Sequence, residues 1–244
     1  MNDMQSEFVI MKQQLAELFQ ENRDLRKAVR EANRIDMIRA SMIIRNTRHD
    51  ILAVDRILEG ELQRDVSVGD YVFIQNFGEV LNMAYSNLEM GNSLDKNLLV
   101  KAYRILAEDP EGYFRKSNPV VYAFNHVPPH RVDVEELLTD ALRRVYSPEA
   151  GNNVVMKAMY VHNKLIDIYP FDEFSGEIAV FAMNYYLMHE GLMPISFPID
   201  RQEYLDLVAA CLKGTRRSEF YNFLYKTIDD KMQRTIAACS EVIE

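Results

Sequence analysis

Residues 158–198 read AMYVHNKLIDIYPFDEFSGEIAVFAMNYYLMHEGLMPISFP. Asn152–Ile168 has the apolar spacing of a helix, and Pro170 ends it, because proline has no backbone N–H to donate. Ser175 is placed to cap a second helix through Met188, and Gly191 closes that helix. The stretch is thus two helices joined by a Pro-Phe loop.

Outward from that pair, the chain reads as further helices. The spacing predicts helix through Ile35–Leu62, over 71–90, over Leu94–Glu108, over Asp133–Tyr146, over Gln202–Lys213 and from Ser218 onward. Gly69-Asp70, Gly91-Asn92 and Gly214 are the breaks, and Asp200 is a cap. One segment differs. Residues 112–133, GYFRKSNPVVYAFNHVPPHRVD, are rich in β-branched and aromatic side chains and contain Pro128-Pro129. They predict a short strand pair or extended loop. The fold class is therefore mainly α.

Composition limits the function classes. The 244 residues are 48% hydrophobic and 27% charged, ordinary for a globular chain. The formal charge of −9 argues against general nucleic-acid binding, which needs clustered Lys and Arg. The two cysteines, Cys211 and Cys239, lie in helical sequence, which fits reduced thiols and a cytoplasmic protein. The start, MNDMQSEFVIMKQQ, lacks the basic-then-apolar layout of a signal peptide. No apolar run is long enough to span a membrane.

The N-terminal segment, residues 1–34, reads as one long helix. Phe8, Leu15, Asn22 and Val29 fall on heptad a positions, and Met11, Leu18, Leu25 and Ala32 on d. A lone Asn at a fixes register in parallel coiled coils, with Glu21 and Arg26 pairing across the seam. The same face, widened by Val9 and Phe19, also suits a helix lying on its own domain. A homodimer through residues 7–33 and intramolecular packing are both open at this point. The stripe Arg23, Lys27, Arg30 and Arg34 reads as a solvated helix face.

The 158–198 stretch resembles the core of Fic (Fido) domains, whose signature is H-P-F-x-[D/E]-G-N-G-R-x-x-R. The flanking helices, the G-x-x-R start and V-P-P ending of residues 112–131, and DRQEYLDLVAACLKG downstream are similar to that family over roughly residues 35–228. The resemblance implies a Fic-like helical core over 35–244, with a β-hairpin flap at 112–131 and a motif loop at 168–180. It also implies an inhibitory-helix-like segment near 36–50. In the family, the motif His is the general base toward a target hydroxyl, the acidic residue holds Mg²⁺, and the glycines admit phosphates at a helix N-terminus. The arginines neutralise phosphate charge.

Here the motif is degenerate. Tyr169 stands at the base position, and a phenol with a reference pKa of about 10 is a poor base near neutrality. Phe171 keeps the loop anchor, and Glu173 keeps the metal-binding acid. Phe174 replaces the first glycine, Ser175 the Asn, Glu177 the first arginine and Val180 the second, while Gly176 is kept. Phe171, Ser175, Gly176 and Glu177 are the residues that would line a nucleotide. The family's inhibitory motif, [S/T]-x-x-x-E-[G/N], aligns with Ser41 through Asn46, where Arg45 replaces the glutamate. That exchange suggests an inverted Arg45–Glu177 salt bridge over the old nucleotide site. His162 is expected to pack or cap, and His126 and His130 to lie at the surface. Arg115 and Arg131 are the nearby candidates to replace the lost phosphate donors.

These residues imply a Fic-fold protein deficient in AMP transfer, acting as a binding or signalling module with a protein partner. No cofactor, nucleic acid or membrane is expected. The alternative is a Fic-type transferase using Mg²⁺ and ATP, moving AMP or another phosphate-containing group onto a protein hydroxyl with non-standard residues.

Overall fold

The computed structural model describes residues 2–47 and 49–243. Among the described residues, ten α-helices make up the fold. They are α1 (Asn2–Glu21), α2 (Arg23–Arg45), α3 (Ile51–Leu58), α4 (Val68–Glu89) and α5 (Lys96–Leu106) in the first half. Then follow α6 (Val134–Val145), α7 (Val154–Ile168), α8 (Ser175–His189), α9 (Arg201–Leu212) and α10 (Arg217–Ile243).

Side-chain caps start most of these helices. Asn22 accepts from the Leu25 N–H at 3.0 Å, Asp50 from Ala53 at 2.7 Å and Ser67 from Asp70 at 3.1 Å. Asp95, Asn153 and Asp200 do the same for α5, α7 and α9. Each bond satisfies a backbone donor that the helix leaves free at its start.

Helix α8 is the hub. Every residue from Ser175 through Leu187 is buried. A helix apolar on all sides belongs inside a bundle, and α2, α4, α5 and α7 pack around this one. Asn184, buried within α8, donates to the Ile195 carbonyl at 3.0 Å and accepts from the Ile195 N–H at 2.8 Å. That two-way bond straps the proline-rich segment after α8 back onto the helix.

The helix expected over 7–33 is two helices. Asn22 has an extended backbone (φ −137°) and caps α2, so it is a boundary residue rather than a seam position. Phe8, Met11, Leu15 and Leu25 are buried within this chain. Phe8 packs on Tyr225 of α10 with ring centroids 5.1 Å apart. The Glu21–Arg26 pairing lies outside the described side chains. The helix expected through Leu62 is also interrupted. Asn46 adopts the left-handed conformation (φ 59°) that closes α2, and α3 starts afresh at Ile51.

Residues 112–131 form no two-stranded hairpin among the described residues. One isolated antiparallel bridge joins Val121 and His126 around a single 3-10 turn. Pro119, Pro128 and Pro129 remove ladder donors on both sides of that bridge, which limits its extension.

Candidate functional site

The loop from α7 to α8 turns on two residues with positive φ. Tyr169 ends α7 at φ 48°, its N–H bonded to the Leu165 carbonyl at 2.9 Å. Phe174 precedes α8 at φ 60°. Such backbone is unfavourable for bulky side chains and persists only when its surroundings impose it.

Arg115 imposes it. Its side chain is 3% exposed. Nε donates to the Tyr169 carbonyl at 2.9 Å, Nη1 to the Ser117 carbonyl at 2.6 Å and to Asn118 Oδ1 at 3.2 Å. Nη2 donates to the Pro129 carbonyl. The Arg115 N–H donates to the Pro170 carbonyl at 2.9 Å. The guanidinium thus staples the motif loop to residues 112–131, and its donors are committed to that task. Arg115→Lys keeps the charge but loses the planar fork. It is expected to cost roughly 2–4 kcal/mol, because several buried carbonyls lose their donors. Urea unfolding checks this, and a loss below about 0.5 kcal/mol, typical of a neutral surface substitution, contradicts it.

Phe171 is fully buried, stacked on Tyr103 at 4.5 Å and tilted against Phe114 at 5.9 Å. It anchors the loop from beneath. Ser175 does not cap α8 as expected. Its Oγ accepts from the Phe171 N–H at 2.8 Å and donates to the Phe171 carbonyl at 2.9 Å. Phe174 takes the cap position and offers no side-chain cap. Asp172 receives the Lys116 N–H and the Ser117 hydroxyl, both at 3.2 Å, a second tie between the loop and residues 112–131.

The N-terminal turn of α8 is covered. A Cβ on Gly176 would meet Ile44 Cγ2 of α2 at 2.8 Å, so Ile44 sits directly against that glycine. The Phe174 ring lies nearly parallel to Phe73 of α4, with centroids 6.2 Å apart. Glu177 is 7% exposed. Burial pushes its carboxyl up to about 7, against weaker lowering from its own backbone N–H and from Arg45. Glu177 therefore holds its proton well above the ordinary carboxylate range. Burial also raises the Tyr169 phenol above its ordinary value, and Glu177 adds to that rise. Glu173 is exposed. Among the described residues, no group of three or more His, Cys, Asp or Glu side chains is placed to hold a metal ion.

Residues 93–187 match the model of the Fic/DOC family. Over those residues the chain carries a Fic domain. A Fic-domain-containing signalling protein from Bacteroides thetaiotaomicron superposes with a TM-score of 0.78 at 17% identity, over 95% of this chain and 97% of that one. Fic-1 from C. elegans gives 0.74 at 19% identity, over 96% and 74%. A Fic family protein from Desulfovibrio desulfuricans gives 0.69 at 16% identity, over 94% and 74%. These likenesses are of fold.

Outside the matched residues, the end of α2 does reach the motif loop, but not through the expected ion pair. No Arg45–Glu177 contact within 4 Å is present among the described residues. Arg45 Nε instead lies 3.7 Å from Asp70 Oδ1, and its guanidinium covers the Phe73 ring at 4.6 Å. His49 Nε2 takes the other Asp70 oxygen at 3.2 Å. Asp70 is itself buried, so it offers the arginine a fixed partner. Ser41 is fully buried with no partner for its hydroxyl, and Asn46 supplies the left-handed cap. The reading from sequence missed Asp70 and His49. The available signal was Ser67-x-x-Asp70, the spacing of a capping box.

The remaining candidates are structural. His162 is wholly buried, its Nε2 2.8 Å from the Tyr204 hydroxyl and its Nδ1 3.0 Å from Asn163 Oδ1. His126 is half-buried rather than at the surface, 2.8 Å from the Asp167 carbonyl. His130 is exposed and caps the short turn at 131–133.

Proposed function

We propose that this Fic domain is deficient in AMP transfer and serves as a protein-binding module. The observation that carries the reading is the closed N-terminal turn of α8. In the family's arrangement, phosphates approach glycines at this turn. Here Ile44 packs on Gly176, Phe174 stacks on Phe73, and the buried carboxyl of Glu177 stands at the arginine position. A phosphate group would meet apolar carbon and an acid in place of cationic donors.

The residues present do not fit Mg²⁺ and ATP. Arg115 is committed to carbonyls, and the Tyr169 phenol is raised further above the pH at which a general base is ionised. The module reading is supported by the exposed apolar side chains Val120, Tyr122, Val127 and Val132 within residues 112–133, the segment that Arg115 ties to the motif loop. Several large exposed apolar groups in one short segment are a mark of interaction sites. No helix among the described residues is long and apolar enough to cross a membrane. The buried, free Cys211 and Cys239 support a cytoplasmic setting.

Calorimetric titration with Mg²⁺ and ATP tests the reading. The expected result is no saturable heat and no thermal shift at millimolar ATP. Saturable binding, with transfer of labelled nucleotide that Glu173→Ala abolishes, would overturn it and establish the transferase alternative.

A further inference from the structure

Helices α1 and α2 are joined by Asn22 alone. Its backbone is extended, at φ −137° and ψ 99°, while the residues on both sides are helical. Its side chain accepts the Leu25 N–H at 3.0 Å. In one continuous helix that N–H would bond the carbonyl four residues back. Turning a single residue to helical φ and ψ would therefore merge α1 and α2.

The seat of α1 is made elsewhere in the chain. It packs chiefly on α10. Phe8, Met11 and Leu15 are buried there, and the Phe8 and Tyr225 rings lie 5.1 Å apart. The Tyr225 hydroxyl donates to Glu7 at 3.1 Å. Lys12 donates to the Glu190 carbonyl at 2.8 Å, and its stem runs beside Gly191. None of these contacts involves the kink at Asn22. An identical α1 arriving from another molecule would make all of them.

The sequence also keeps the two helices in phase. Phe8, Met11, Leu15, Leu18, Asn22, Leu25 and Val29 follow one alternating three-and-four spacing straight through the junction. A kink frees two helices from sharing a phase, yet this chain preserves it. On a merged helix these side chains form a single stripe. Leu18 and Val29 are only half-buried within one chain, so the stripe keeps apolar surface for a partner.

We propose that two copies of this chain exchange α1. Asn22 becomes helical in both, α1 and α2 merge, and each α1 takes its seat on α10 and Glu190 of the other copy. Short hinges favour such exchange, and every contact of α1 is restored in the dimer. Its own α1 is tethered beside each seat at high effective concentration, so the exchange shows in concentrated protein.

The test uses the full chain, equilibrated over a range of concentrations and sized by light scattering. A dimer is expected to grow in at roughly 0.1–1 mM. Asn22→Ala removes the cap that favours the kink and suits a helix interior. It is expected to tighten the dimer roughly thirtyfold, from one lost cap at each of two hinges. Asn22→Gly caps nearly as well and is poor inside a helix, so it is expected to dimerise no better than the native chain. Equal parts of ¹⁴N and ¹⁵N chains are then equilibrated together and cross-linked with a carbodiimide. Amide links between Lys12 and the Glu190 carboxylate are expected to join light to heavy chains in the dimer fraction, and to stay within one chain in the monomer. A native chain that remains monomeric at about 1 mM overturns the proposal. So does a dimer whose Lys12–Glu190 links all lie within one chain, whether or not the Asn22 variants fold. An Asn22→Ala protein that folds and dimerises no more tightly than the native one overturns the hinge.

Discussion

Replacing Glu177 with glutamine is expected to stabilise the protein above pH 7, by about 3 kcal/mol relative to its effect at pH 4. The carboxyl is pushed up to about 7 by burial, against a reference near 4.3 in the unfolded chain. Between those values the folded protein holds a proton that the unfolded chain releases. Native stability contributed by this group is therefore full at low pH and lost as pH rises through the folded value. At about 1.4 kcal/mol per unit the full loss is about 4 kcal/mol, of which about 3 kcal/mol falls between pH 4 and pH 7. Glutamine keeps the shape and cannot ionise. For a chain of this size the gain corresponds to roughly 6–12 °C in Tm. Denaturant unfolding of both proteins from pH 4 to 8 checks it. Parallel curves would show that Glu177 is not a desolvated acid.

The second large effect has the opposite sign. Burial holds the His162 imidazole down at about 4, below its unfolded reference of about 6.5. The unfolded chain binds the proton first as pH falls. Stability from this group is full above pH 6.5 and declines by about 3 kcal/mol on the way to pH 4. His162→Gln is expected to lose about 1–3 kcal/mol near neutrality, since the ring packs edge-on against Phe197, Tyr204 and Phe220. It should also remove the acid-side decline. In the native protein the two groups oppose each other, so its stability should vary little between pH 4.5 and 6.5. Glu177→Gln should then expose a curve that rises with pH, and His162→Gln one that falls. A native protein with a steep slope across this window would contradict the pairing.

Much of the fold was legible in local chemistry. Asp200 caps α9 as its sequence suggests, and Gly91 takes the left-handed turn after α4 at φ 72°. Fic-like flanks around a degenerate motif identified the helical core. The N-terminal helix was less legible, because a three-and-four spacing serves a coiled-coil seam and an intramolecular face equally. Asn22 is likewise a good helix cap and a familiar seam residue, and only its backbone separates the two roles.

The candidate site divides in the same way. The resemblance that aligns Tyr169, Phe174 and Glu177 with a base, a glycine and an arginine is read from the sequence alone. So are the mainly helical class and the net acidity. Tertiary structure decided what those residues do. It committed Arg115 to backbone carbonyls, turned Ser175 inward to Phe171, and gave Arg45 to Asp70 rather than to Glu177. The reason is physical. A side chain's partner is set by which groups burial strips of water and which donors remain within reach. Those distances arise between segments far apart in the chain, where no local pattern records them.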